Sequence, residues 1–210
     1  MKKIVAEQQS LLIQHAGYRQ FEYQLILNPH EDLRRKITAV KEDFAKAFEA
    51  PGARWGRPYL AIARFKQFAM MEERIISHLK VVAMGYYPFK VELSNFGNYP
   101  SHTIFIQVTT KEPIKNLVKQ IKPWQKLLRL DEDNKPHFLE DPAFTIARQL
   151  KPWQFEKAWA EYQHKHFSGR FIADSMLLLK RTVGEKAYQI AARFEFQNLP
   201  VTTVQGELFG

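Results

Sequence analysis

The chain contains no cysteine and no apolar run long enough to cross a membrane. Without cysteine it can form no disulfide, use no thiolate nucleophile and offer no sulfur ligand to a metal. No apolar segment reaches the roughly 18 residues of a membrane span. The chain starts Met-Lys-Lys, but Glu7, Gln8 and Gln9 interrupt the apolar stretch that a signal peptide requires. We therefore expect a cytoplasmic protein that does not contact a membrane.

Acidic residues are the minority among the charged side chains. There are 22 Asp and Glu against 31 Lys and Arg, which gives a net charge of +9. This balance favours anionic partners such as RNA or nucleotides, although a solvated basic surface has the same composition. The acidic turn at residues 131–136 lacks the glycine and the terminal glutamate of a calcium loop. We expect no metal, no cofactor and a monomer.

One octapeptide occurs twice in the 210 residues. Residues 57–64 read Arg-Pro-Tyr-Leu-Ala-Ile-Ala-Arg, and residues 141–148 read Asp-Pro-Ala-Phe-Thr-Ile-Ala-Arg. Pro, Ile, Ala and Arg recur at the same offsets. The copies lie too far apart for a short solenoid repeat, whose period is roughly 20–50 residues. The pattern indicates a duplicated half-domain.

Each copy is predicted to be a strand that starts at its proline, a position that strands tolerate. Side chains alternate between the two faces of a strand. Tyr59 and Ala61 therefore share one face in the first copy, and Ala143 and Thr145 share one face in the second. The opposite face of each strand is bulky and suited to a core.

The doubled Pro-X-hydrophobic-X-Ile-Ala-Arg pattern resembles the two signature strands of the 2H phosphoesterase superfamily, the 2'-5' RNA ligase and cyclic phosphodiesterase group. Neighbouring segments extend the resemblance from about Tyr23 to Pro200. It implies an α+β fold: a bilobed, duplicated structure of two antiparallel sheets with flanking helices around a central cleft. We expect an N-terminal extension over 1–21, one bilobed domain over 22–200 and a tail over 201–210.

In that family each signature reads His-hydrophobic-Thr/Ser-hydrophobic, and the two histidines act as base and acid on a 2',3'-cyclic phosphate or a 2'-5' linkage. Here Tyr59 and Ala143 occupy the histidine positions, and Ala61 and Thr145 occupy the hydroxyl positions. Tyrosine, with a pKa near 10, is a poor base at neutral pH, and alanine carries no proton. The departure predicts a pseudoenzyme that binds a nucleotide, an RNA end or another phosphate anion through Tyr59 and Thr145.

Two alternatives remain open for the cleft and its neighbours. Displaced groups, His102 or His137, could support an active phosphoesterase or 2'-5' RNA ligase, and either histidine could also line a ligand site.

By simple alternation Arg64 and Arg148 lie on the faces opposite the cleft positions. We expect these two arginines to close the strand ends or to pair with carboxylates.

The last segment carries a separate signal. Gln205-Gly-Glu-Leu208-Phe209 resembles the short motif by which bacterial polymerases and repair proteins dock on the sliding clamp. In such a peptide Leu and Phe fill an apolar pocket and Gln hydrogen-bonds at its edge. The motif suggests an interaction protein of bacterial origin as a further alternative.

Periodicity also predicts the main elements. Gly85 is expected to close the second helix in a left-handed conformation. The helices are predicted at 30–48, 69–83, 112–121 and 155–166. The strands are predicted at 22–27, 58–65, 89–93, 103–108 and 143–148, with a turn at 95–100 and a final hairpin of 170–181 with 187–197.

Overall fold

The computed structural model describes residues 16–200. It contains nine strands and five α-helices in that part of the chain. The strands are β1 Gln20–Leu27, β2 Leu60–Phe68, β3 Phe89–Tyr99, β4 Thr103–Val108, β5 His137–Phe138, β6 Ala143–Ala147, β7 Ser168–Ala173, β8 Ser175–Thr182 and β9 Gln189–Glu195. The helices are α1 Glu31–Ala47, α2 Glu72–Gly85, α3 Lys111–Ile121, α4 Gln125–Leu128 and α5 Pro152–Tyr162.

The strands form two antiparallel sheets. The five-stranded sheet has the order β5-β2-β1-β8-β9, and the four-stranded sheet has the order β6-β4-β3-β7. Every pairing within them is antiparallel. The predicted α+β class with two antiparallel sheets is therefore confirmed. The first strand starts at Gln20, two residues before the predicted start of the domain.

The two halves of the duplication are interleaved. The chain starts in the five-stranded sheet with β1 and β2 and then enters the four-stranded sheet with β3 and β4. It returns at its C-terminal end, where β8 and β9 complete the five-stranded sheet. Helix α1, which follows β1, packs on β6 and β7 of the other sheet, and α3, which follows β4, packs on β2. One large core cluster accordingly draws on both sheets. Neither half can complete its own layers alone.

Local sequence explains the helix that bears on the cleft. Helix α1 begins after His30, whose Nδ1 accepts a hydrogen bond from Leu33 N at 3.3 Å and caps the first turn. Its apolar side chains recur at helical spacing and bury Leu33, Ile37 and Phe44. The amphipathic pattern predicted this helix correctly. Within residues 16–200 no helix is long and apolar enough to span a membrane.

Three local predictions were wrong. The segment predicted as one hairpin arm, 170–181, breaks at Asp174, because β7 pairs with β3 while β8 pairs with β1 and β9 in the other sheet. Gly85 is the last residue of α2, and it is not among the glycines with positive φ. The predicted turn over 95–100 is mostly strand, since β3 continues to Tyr99.

Gly97 explains why β3 can pass so close to β4. A Cβ at Gly97 would lie 2.6 Å from Cε2 of Phe105, the side chain on the paired strand. Such a separation is shorter than any normal carbon contact, so the ring must shift. The glycine is required here by packing, because its φ is ordinary.

We expect Gly97→Ala to lower the free energy of unfolding by about 1–3 kcal/mol, because the added methyl overpacks the Phe105 ring. Urea unfolding measures this loss. Gly52→Ala is the matched control, since no atom of the described residues lies within 4 Å of a Cβ at that position. In a Phe105→Leu background the cost of Gly97→Ala should shrink. An equal cost in both backgrounds would contradict the steric explanation.

Candidate functional site

The two copies of the octapeptide meet at one cleft. A cavity of about 320 Å³ is lined by residues of both copies, including the pair of positions where the resemblance places histidines, Tyr59 and Ala143. The hydroxyl positions Ala61 and Thr145 line the same cavity. All four positions that the sequence singled out as signature residues therefore come together, although Tyr59 lies one residue before β2 begins.

Both signature strands carry a β-bulge at the same offset. On β2 the register against β1 shifts so that Ile26 pairs with Ala61 and Leu25 with Ala63, which leaves Ile62 without a partner. On β6 the register against β4 leaves Ile146 unpaired in the same way. A bulge inserts one extra residue and changes which side chains face each side of the sheet.

The bulges overturn the prediction for the two arginines. Ile and Ala of each Ile-Ala-Arg run are both buried, so the following arginine returns to the cleft side. Arg64 and Arg148 are exposed and line the cavity. In the part of the chain that the structure describes, neither guanidinium forms an ion pair. Strict alternation missed them, although the Ile-Ala-Arg shared by both copies was visible in the sequence.

Tyr59 is held in a hydrogen-bond network across the five-stranded sheet. Its hydroxyl donates to Oε1 of Gln24 at 2.6 Å, and Nε2 of Gln24 donates to the hydroxyl of Tyr188 at 2.9 Å. Burial raises the pKa of the Tyr59 hydroxyl, while the charge of Arg64 partly opposes that rise. At neutral pH the phenol therefore keeps its proton and shares it with Gln24 in a hydrogen bond. The hydrogen bond of this hydroxyl is thus directed at Gln24 on β1.

The opposite side of the cleft offers a hydroxyl but no imidazole. Thr145 is exposed on β6, and Ala143 at the other signature position carries no proton. Thr145 can donate one hydrogen bond to an anion. Together with the two arginines it supplies the hydrogen-bond donors that the two signature strands present to the cleft.

The charge around the cleft is strongly positive. Lys41, Arg57, Arg64 and Arg148 line it, against Asp141 as the one carboxylate among the described lining residues. That carboxylate accepts from Lys111 Nζ at 2.7 Å and from the Tyr99 hydroxyl at 3.2 Å. The hydrogen bond from Lys111 holds the pKa of Asp141 below its ordinary value. Because Asp141 is already neutralised by Lys111, the positive charge of the cleft is left largely unbalanced.

The two candidate histidines lie in different places. His137 on β5 pairs in register with Arg64 and lines the cavity. His102 lies in the turn between β3 and β4, with Nδ1 2.6 Å from Oγ1 of Thr103, and it is not among the residues that line the cleft. Of these two imidazoles, only that of His137 is within the site.

A buried lysine fixes the loop that leads to the first signature strand. Lys41 on α1 is 6% exposed, and its Nζ donates to the carbonyl oxygens of Trp55 at 2.7 Å and Gly56 at 2.8 Å. Gly56 has a left-handed φ of +85°, which favours glycine. Burial, with a smaller contribution from the charge of Arg148, lowers the pKa of Lys41. In the sequence this lysine was indistinguishable from a surface residue of an amphipathic helix.

Comparison with known proteins identifies the family. A profile of the 2'-5' RNA ligase superfamily matches residues 13–185. The chain belongs to this superfamily. No curated protein matches the chain.

Solved structures of this superfamily's fold agree with the architecture. E. coli LigT complexed with 3'-AMP has a TM-score of 0.55 and 13% sequence identity, and the match covers 85% of this chain and 98% of LigT. The protein TT0787 of Thermus thermophilus has a TM-score of 0.58 and 14% identity, with 84% of this chain and 98% of that protein covered. At such low identity the similarity concerns the fold alone. The predicted 2H phosphoesterase architecture is confirmed.

The buried charge of Lys41 predicts a pH dependence of stability in this superfamily member. The folded-state pKa lies below the unfolded value of 10.5, so between the two the unfolded chain binds more protons and stability rises with pH. We therefore expect the unfolding free energy of the wild type to rise relative to that of Lys41→Met as the pH approaches 10.5.

Urea unfolding from about pH 7 to pH 11 measures this difference. Lys46→Met removes an exposed lysine of the same helix and controls for the loss of one surface charge. If the unfolding free energies of the wild type and Lys41→Met change with pH in parallel across this range, the lowered pKa of Lys41 is wrong.

Proposed function

We propose that this member of the 2'-5' RNA ligase superfamily has lost the two-histidine chemistry and binds the phosphate of a nucleotide or an RNA end in the cleft. The proposal rests on one observation: Arg64 and Arg148 line the cavity, and neither position 59 nor position 143 is a histidine. Such a site has two tasks, proton transfer and anion binding.

Proton transfer lacks its groups at the signature positions. General acid–base catalysis requires a side chain whose pKa lies near the operating pH, and it usually contributes about 10²–10⁴-fold. The raised pKa of Tyr59 and its hydrogen bond to Gln24 keep that proton in place. Ala143 has none to give. A phosphate bound here would meet donors but no acid and base pair at these positions.

Anion binding retains its groups. Guanidinium side chains present several N–H donors in one plane and match the oxygens of a phosphate. Arg64 and Arg148 come from equivalent offsets of the two strands, and Thr145 adds a hydroxyl to the same cavity. Lys41 contributes a further positive charge nearby. A phosphate would offset the repulsion among these cations.

Structures with the same fold support this ligand class. E. coli LigT has been crystallised in complexes with 3'-AMP, with NADP+ and with phosphate. Those complexes concern LigT, whose sequence identity to this chain is 13%. Combined with the net charge of +9, they favour a phosphate-bearing ligand here.

We expect Arg64→Met and Arg148→Met each to weaken the binding of adenosine 3'-monophosphate by roughly 10- to 100-fold, because each removes a charged hydrogen-bond donor. Isothermal titration calorimetry at low salt measures the affinity. Arg193→Met is the matched control, since Arg193 is exposed on β9 and lies outside the cleft lining. Equal affinity in all three variants would exclude the arginine pair as the anion site.

The alternative is an active phosphoesterase or 2'-5' RNA ligase. The observation in favour of this alternative is that His137 lines the cleft. Our proposal predicts no turnover of 2',3'-cyclic nucleotides or 2'-5' dinucleotides by the pure protein. Turnover that disappears in Thr145→Ala would refute the loss of catalysis. Turnover lost in His137→Ala but kept in His102→Ala would assign the chemistry to the histidine that lines the cleft.

The sliding-clamp hypothesis stays a prediction from sequence. Gln205, Leu208 and Phe209, which would contact the clamp, lie outside the described residues. The described chain ends at Pro200, just after Leu199, whose backbone N–H donates to Met84 O near the end of α2. A docking role for the tail is independent of the cleft and compatible with anion binding in it.

A further inference from the structure

Trp55 is the most exposed large apolar side chain in the described part of the chain. It is 79% exposed, and it lines the cleft. Its indole is absent from the aromatic ring pairs found among residues 16–200. Leaving an indole in water forgoes the free energy of burying it. An unburied ring at the edge of a binding cleft indicates a contact that a ligand completes.

The backbone that carries Trp55 is firmly held. The loop starts with a 3-10 turn, Pro51–Arg54, whose Ala53 is buried, and Trp55 N–H donates to Gly52 O at 3.2 Å. Lys41 then binds the carbonyl oxygens of Trp55 and Gly56. Lys41 forms no ion pair with a carboxylate among residues 16–200, and burying such a charge is costly. Its placement here anchors the segment that presents the indole.

The surroundings of the indole restrict what can stack on it. The cations of the cleft, including the neighbouring Arg57, repel a positively charged ligand, so a cation–π role is disfavoured. The ligand group best suited to stack on the indole is therefore a flat, uncharged ring. Leu139, which is partly exposed, adds apolar surface to the same cavity. The cleft thus combines the anion-binding groups of Arg64 and Arg148 with an exposed aromatic ring.

We propose that Trp55 stacks on the base of a nucleoside phosphate whose phosphate is held by Arg64 and Arg148, and that Lys41 is the residue that positions Trp55 for this contact. This inference rests on the proposed anion-binding function of the cleft. The stacking contact makes the site selective for phosphates that carry a base. Stacking of a base on an aromatic side chain contributes measurably and tolerates any base, because every base has a π-face.

Calorimetry with three probes tests the proposal: adenosine 3'-monophosphate, ribose 5-phosphate and inorganic phosphate. Trp55→Ala should weaken binding of the nucleotide about 5- to 100-fold, and leave binding of the two base-free probes unchanged. Trp55→Phe should restore part of the affinity, because it keeps a ring. Trp153→Ala is the control, since Trp153 is 46% exposed on α5 and does not line the cleft.

Tryptophan emission provides a second readout. The chain has four tryptophans, so the nucleotide should quench part of the wild-type emission and leave that of Trp55→Phe unchanged. For Lys41 the informative quantity is the ratio of the affinities for nucleotide and inorganic phosphate, in which the lost charge cancels. Lys41→Met should lower this ratio in the wild-type background but not in Trp55→Ala.

The outcomes separate this inference from the proposed function. If no probe binds, the anion-binding function itself is wrong, and the inference fails with it. If adenosine 3'-monophosphate binds equally well to the wild type and to Trp55→Ala, the cleft binds phosphate but Trp55 does not contact a base. If Lys41→Met leaves the affinity ratio unchanged, the lysine does not position the indole.

Discussion

The structure depends on one inserted residue in each of two strands. Side chains in a sheet repeat every two residues, so a single insertion exchanges the faces of everything that follows. Before each bulge Leu60 or Phe144 points into the core, and after it Ala63 or Ala147 does so. The bulges therefore let both strands keep a buried side facing the core along their whole length. They also place one arginine of each copy at the cleft.

The interleaved halves hold this geometry in place. Each sheet receives a helix from the opposite half, so the cleft between the signature strands is set by a core common to both. Helix α1 illustrates the coupling. It packs on the four-stranded sheet, while Lys41 of the same helix fixes the loop before β2 through two backbone carbonyls. The rim of the site is thereby tied to the packing of the far sheet.

The proposal of a binding site rests on which side chains the cleft contains. A catalytic pair needs groups that exchange protons near neutral pH. Here the tyrosine at one signature position donates its hydrogen bond to Gln24, and the other position is alanine. Cations line the cleft where the imidazoles are missing, and cations favour a bound anion whether or not it reacts. This is the physical basis for proposing ligand binding without the turnover typical of the family's histidines.

The sequence by itself determined the α+β class and the helix over 30–48, which follow from local periodicity. One doubled motif carried the family resemblance, and that resemblance implied the meeting of positions 59 and 143. The sequence also determined that no imidazole stands at either position. The tertiary structure decided the rest. The side on which Arg64 and Arg148 lie depends on bulges formed against β1 and β4. The roles of Lys41 and Trp55 depend on a loop and a helix that meet only after packing, and pairing and packing between distant segments leave no mark on the spacing of residues along the chain.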